Sequence, residues 1–169
     1  MQIVLAPYNP EWPSEFETEK NRIATALSPE WAVVEHIGST SVPGLAAKPV
    51  IDILVGLRDF DRAMEAVDSL ESIGYAYLPQ YEDTMPYRRL LILEEEDKRS
   101  VNLHMVAIDT EFWARHLRFR DYLRSHPEVR DAYNQLKTDL AQKDWASVND
   151  YAQAKTEFIR RVEAESKLS

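Results

Sequence analysis

The spacing of apolar residues changes along this chain in a way that divides it into elements. Trp12, Phe16, Ile23 and Leu27 recur at near-helical intervals around Pro10, Glu11 and Pro13, which predicts a first helix that ends before Pro29. The period then shortens, and Trp31 to Ile37 reads as a strand. Val50 to Leu57 is an apolar run interrupted only by Asp52 and Gly56, the pattern of a buried central strand. Asp59 is placed to cap a helix through about Ile73, with Phe60, Met64, Val67 and Leu70 along one stripe and Gly74 as its stop. A short strand around Tyr75 to Leu78 follows. Arg88 to Leu93 and Ser100 to Ala107 read as two strands joined by the acidic turn Glu94-Glu95-Glu96-Asp97, a hairpin on the sheet edge.

Beyond the strands the pattern is helical. Three segments begin near Thr110, Pro127 and Ser147, with Pro127 in a first-turn position and Ser147 or Asn149 as caps, and no glycine interrupts them. Strands confined to the first two-thirds and helices to the last third predict an α+β fold: a mixed β-sheet flanked by helices, with a C-terminal helical layer. A length of 169 residues and 44% hydrophobic composition fit one domain spanning residues 1–169.

Composition narrows the chemistry. With no cysteine, disulfides, thiolate metal sites and a cysteine nucleophile are excluded. No apolar stretch approaches the roughly 20 residues that span a bilayer, and the N-terminus lacks a signal-peptide pattern, so a cytoplasmic protein without membrane attachment is expected. The formal net charge of −9 opposes binding of an extended nucleic acid, whose phosphates need clustered Lys and Arg. A small phosphorylated ligand is compatible with it, because a few local cations and backbone amides outweigh a distant field screened over about 10 Å.

Two features carry candidate chemistry. Asp52 places a carboxylate inside the run Val-Ile-Asp-Ile-Leu-Val, where desolvation is unfavourable unless a cation or several hydrogen bonds compensate it. Gly38 directly follows a strand and opens GSTSVPGLAAKP, in which Pro43-Gly44 fits the centre of a type II turn. Turn amides and the hydroxyls of Ser39, Thr40 and Ser41 can cradle phosphate oxygens there. The loop is not a P-loop, since five residues separate its glycines and Leu45 follows the second. Cations for an anionic ligand are available in Lys48, Arg88, Arg89, Arg120, Arg124 and Lys137. Arg88 and Arg89 must face opposite sides of a strand. Arg120 and Arg124, one helical turn apart, are placed either to clamp a phosphate or to pair with neighbouring carboxylates.

Ile37-Gly38-Ser39 followed after 12 residues by Asp52 on the next strand resembles the arrangement of nucleotidyltransferase-superfamily domains, and EHIGSTSVPGLAAKPVIDILV from Glu35 to Val55 resembles the GrpB-like branch of it. The likeness extends to NLHMV at Asn102, FRDYLR at Phe119, and Tyr133, Lys137 and Lys155. It implies a nucleotidyltransferase-like sheet and a metal-dependent protein acting on a nucleoside triphosphate or related phosphorylated small molecule. Gly38, Ser39, Thr40, Ser41, Lys48, Arg88 and Arg120 would then hold phosphates. Asp52 would bind magnesium or manganese, and His104 or Glu35 would complete the catalytic set. Superfamily enzymes usually place a second carboxylate two residues after the first, where this chain has Leu54. Asn102 and His104 stand where a later strand often supplies a third acid. One repair is a mixed site in which Glu35, His36 and His104 join Asp52, suited to manganese, zinc or iron. The other is a catalytically silent nucleotide-binding or partner-binding module that retains the fold.

Overall fold

The structure, a computed structural model, describes residues 1–168. Five strands form one mixed sheet: β1 (Ala32–Ile37), β2 (Ile51–Leu57), β3 (Ala76–Tyr77), β4 (Arg89–Glu95) and β5 (Lys98–Ala107), in the order β1-β2-β5-β4-β3. β2 and β5 run parallel, and every other neighbouring pair is antiparallel.

Residues in register across neighbouring strands share a face, so pairing assigns each side chain its layer. Ile53, Val55 and Leu57 of β2 lie level with Leu103 and Met105 of β5 and point into the main core. There they meet Ile23 and Leu27 of α1 (Trp12–Leu27) and Val67 and Leu70 of α2 (Ala63–Glu71). Each such buried side chain contributes about 1.5–3 kcal/mol of transfer free energy, which makes this layer the main source of stability. On the other face, Ile37, Leu54 and Val106 pack against Phe112, Trp113 and Leu117 of α3 (Glu111–Ser125). Gly56 lets α3 approach, because a Cβ there would lie 2.7 Å from a carbon of the Trp113 ring. The remaining helices are α4 (Pro127–Ala141), α5 (Val148–Ala154) and α6 (Thr156–Leu168).

Local chemistry sets the ends of these elements. Pro13 occupies the first turn of α1, and the Thr110 hydroxyl accepts the Trp113 N–H at the start of α3. Ser147 caps α5 through the Asp150 N–H. Gly74, at φ 106°, turns the chain out of α2.

Four details differ from the sequence-based expectation. The β4-β5 hairpin is not at the sheet edge: parallel pairing with β2 makes β5 the central strand, and two-residue β3 forms the edge beyond β4. The turn proper is Glu96-Asp97, with φ of 50° and 61°, the left-handed geometry that matches the twist of a tight hairpin. Asp59 caps a single 3₁₀ turn, Phe60–Arg62, before α2 begins. The third C-terminal pattern is two helices, interrupted at Lys155. Among the described residues no helix is long and apolar enough to cross a membrane.

Candidate functional site

The loop after β1 is shaped by glycine and then fixed by side chains from the C-terminal helices. Gly38 adopts φ 75° and ψ −176°, a conformation nearly confined to glycine, and Ser39–Ser41 form one 3₁₀ turn. The Leu45 N–H then donates to the Val42 carbonyl at 3.2 Å around Pro43 and Gly44, with Gly44 at φ 94°, which is the expected type II turn. Arg120 Nη1 donates to the His36 carbonyl at 3.1 Å and Arg124 Nε to the Ser41 carbonyl at 2.9 Å. Asn134 accepts the Ala46 N–H at 2.9 Å, and Lys137 Nζ donates to the Ala46 carbonyl and to Ser39 Oγ, the latter at 2.8 Å. Backbone groups without secondary-structure partners are thus paired to α3 and α4, and the loop is held open over β2.

Asp52 stands at the start of β2, level with Ile37 of β1 and Asn102 of β5. Its side chain is 32% exposed, so it lies at the rim of the sheet and not within the apolar run that surrounds it in sequence. Asn102 Nδ2 donates to Asp52 Oδ1 at 3.3 Å, and His104 Nε2 lies 3.8 Å from the same oxygen. The carboxylate opens onto a cavity of about 280 Å³. Ser39 and Thr40 of the loop line it, together with four cations, Lys48, Arg99, Lys137 and Lys155, while Asp52 is its one acid among the described residues.

The cations influence one another. Burial, and next the neighbouring Lys155 ammonium, bring the Lys137 amine down to about 7, against the opposing pull of Asp52. Lys155 is lowered to about 8, again by burial first and by Lys48 second. Lys48 is lowered by burial and by Arg99, with Asp52 acting in the other direction.

The sequence-predicted residues separate into two groups. Ser39, Thr40, Lys48 and Asp52 line the cavity, Gly38 packs against the Asp52 carboxyl, and His104 flanks it from β5. Glu35, His36, Ser41, Arg88 and Arg120 do not line it. Glu35 is bound by Arg120 at 2.7 Å, and Arg120 also pairs with Asp121, so neither of the first two groups is directed at a ligand. His36 belongs to the opposite face of the sheet, stacked on Phe16 at 4.7 Å and hydrogen-bonded to Thr40 at 2.9 Å. Burial lowers it to about 4, which keeps it neutral. Ser41 is buried and donates to the Gly38 carbonyl. Arg88 reaches His104 Nδ1 at 3.4 Å on the far side of that ring from Asp52, and Arg89 faces the other way, over Phe60.

The mixed set of Glu35, His36, His104 and Asp52 is therefore not assembled, because strand alternation sends His36 to the other layer and Glu35 is bound by Arg120. Among the described residues, no three of His, Asp and Glu converge as metal ligands. Nor does the chain offer the second carboxylate of a two-acid site: Leu54 is wholly buried against Ile37, Val106 and Phe112. The donor set does not fit a metal held by protein ligands alone.

Arg99, Tyr151 and Lys155 are cavity residues that pattern and spacing did not assign. Lys155 carried only a family resemblance, and Arg99 and Tyr151 carried no signal, because their roles arise from α5 and the hairpin folding back over β2.

A glycine-serine turn after one strand, facing a carboxylate on its antiparallel neighbour in a mixed five-stranded sheet, defines a nucleotidyltransferase-fold protein. The fold is shared with the Cid1 poly(U) polymerase, at 12% identity and a TM-score of 0.55 over 82% of this chain and 43% of that one. The chain belongs to the family described as GrpB protein, which matches residues 2–165. Among solved structures it is similar to the conserved protein GrpB from Enterococcus faecalis, with 37% identity, 96% of each chain covered and a TM-score of 0.85. Among curated proteins it is 39% identical to a UPF0157 protein of Halalkalibacterium halodurans over 95% of this chain and 80% of that one. It is 36% identical to the UPF0157 protein YqkA of Bacillus subtilis over 99% of this chain, and spans 47% of that longer relative.

Proposed function

We propose that this protein binds the phosphate groups of a nucleoside triphosphate, or of a related phosphorylated small molecule, in the cavity above Asp52. In this reading it acts as a binding module in which lysine and arginine supply the charge neutralisation that a second carboxylate and its metal supply in two-acid sites. The observation that carries it is the convergence of Lys48, Arg99, Lys137 and Lys155 on a cavity with a single acid, in a chain whose net charge is −9. Such an excess of positive charge in one recess is unfavourable without an anion to match it. The cavity volume of about 280 Å³ lies just below the roughly 300–1,000 Å³ of ligand sites, which suits a chain of phosphates and leaves a base outside.

Thermal denaturation with nucleoside triphosphates and with inorganic tripolyphosphate, each with and without magnesium, tests this. The expected result is stabilisation in the absence of magnesium, by about 2.7 kcal/mol at a hundred times the dissociation constant, with the nucleotide recovered intact. No stabilisation by any of these anions would overturn the reading.

A second reading, metal-dependent nucleotidyl transfer, is favoured by the place of Asp52 beside Gly38 and by His104 at 3.8 Å. Magnesium is often bound by one or two carboxylates together with the substrate's own phosphates, so Asp52 would depend on the ligand to complete the site. Turnover of a nucleoside triphosphate with magnesium or manganese, abolished in Asp52→Asn, would support it over simple binding.

A further inference from the structure

The lysines that meet in the cavity are not equivalent. Lys137 is 2% exposed, and its Nζ donates to the Ala46 carbonyl and to Ser39 Oγ, the latter at 2.8 Å. Lys155 is half-buried and lines the cavity, yet its Nζ makes no hydrogen bond or ion pair among the described residues. On one side it meets the Tyr151 ring, whose centre is 4.7 Å away. Burial, and next the Lys48 ammonium, favour its uncharged form against the pull of Asp52. Lys48 is lowered by burial too, but its leading charged neighbour is Asp52, which favours the ammonium. Titration alone would single out Lys137, the most strongly lowered of the three, at about 7 against about 8 for Lys155. Geometry selects Lys155 instead, because the Lys137 nitrogen is hidden and tied to two oxygens, whereas the Lys155 nitrogen is free beside open space.

Resting on the phosphate-binding reading above, we propose that Lys155 is a nucleophilic lysine, acylated by small acyl phosphates that the cavity draws in by their phosphate group. Lys48, Arg99 and Lys137 attract the anion, and the carbonyl carbon beside its phosphate is then offered to the one unbonded amine. The Lys155 nitrogen attacks that carbon with its lone pair. A C–N bond forms as the C–O bond to phosphate breaks, inorganic phosphate leaves with the electron pair, and the extra proton on nitrogen passes to water. The product is a neutral amide where an ammonium stood, so acylation lowers the positive charge of the cavity and opposes the binding of anions there.

Incubation of the intact protein with acetyl phosphate at about pH 7.5, read by peptide mass spectrometry, tests this. Lys155 is expected to be acetylated about 10- to 100-fold faster than the exposed Lys98 and Lys143, because more of it is uncharged, although a less basic amine is a somewhat weaker nucleophile. Excess inorganic tripolyphosphate should slow Lys155 and leave Lys98 and Lys143 unchanged. Lys155→Arg, which keeps a cation but has no amine to acylate, should lose the fast site. Once acetylated, the protein is expected to bind tripolyphosphate about 10-fold more weakly. If tripolyphosphate stabilises the protein but Lys155 reacts no faster than Lys98 and Lys143, the nucleophile assignment fails while phosphate binding stands. If tripolyphosphate neither stabilises the protein nor slows Lys155, both fail together.

Discussion

A Cβ on Gly38 would lie 2.6 Å from Asp52 Oδ2, closer than any carbon and oxygen can pack without one of them moving. The loop after β1 and the carboxylate of β2 are therefore fitted to each other at one atom, beside the cavity that Asp52 lines. Gly38→Ala meets this contact and a φ of 75° with an extended ψ together. The expected loss is about 1–3 kcal/mol of folding stability by urea denaturation, accompanied by loss of stabilisation by tripolyphosphate. A variant with wild-type stability and wild-type phosphate response would contradict the fit.

The two lowered lysines give the protein a pH signature. In the folded chain Lys137 titrates at about 7 and Lys155 at about 8, against an ordinary 10.5, so between those values the unfolded chain holds more protons than the folded one. Stability from these groups then rises with pH across that window, and below about pH 7 both states are protonated and the burial penalty is fully felt. Lys137→Met should flatten the rise measured between about pH 7 and 9.5. An anion favours the ammonium forms, so phosphate binding should take up protons and weaken as pH rises through about 7 to 8. Calorimetry in buffers of different ionisation enthalpy reads that uptake directly.

Arg120 acts on the loop and not on a ligand. It is bound to Glu35, to the His36 carbonyl and to Asp121, and its side chain is 11% exposed. Arg120→Met should cost about 2 kcal/mol in urea denaturation, since several charge-assisted bonds are lost at once. Glu35→Gln keeps an acceptor on a side chain that is 35% exposed and should lose under about 1 kcal/mol. A larger loss from Glu35→Gln than from Arg120→Met would reverse this assignment.

Restoring the missing carboxylate by substitution should not create a two-acid site. Leu54 has 0% exposure and packs under α3, so Leu54→Asp buries an unpaired charge and is expected to destabilise by about 3–5 kcal/mol. A folded Leu54→Asp protein that gained magnesium-dependent turnover would show that α3 leaves more room there than its packing indicates.

The apolar spacing of the chain was enough to locate both long central strands, α1 and the starts of α3, α4 and α5, because alternation and helical stripes are local consequences of burial. It was also enough to mark the Gly38 turn and Asp52, since a carboxylate in an apolar run and a glycine directly after a strand stand out without any partner. It could not show that β5 inserts beside β2, a pairing between residues about 50 apart that only the assembled sheet selects. Nor could it sort the cations. Arg120 and Lys137 look equivalent in sequence, yet one closes on Glu35 and the other on the cavity, because helix packing decides which way each reaches. The surroundings of Asp52 were thus decided by tertiary structure: Lys137, Tyr151 and Lys155 come from the C-terminal helical layer, 85 or more positions away, and no local pattern encodes where such distant side chains meet.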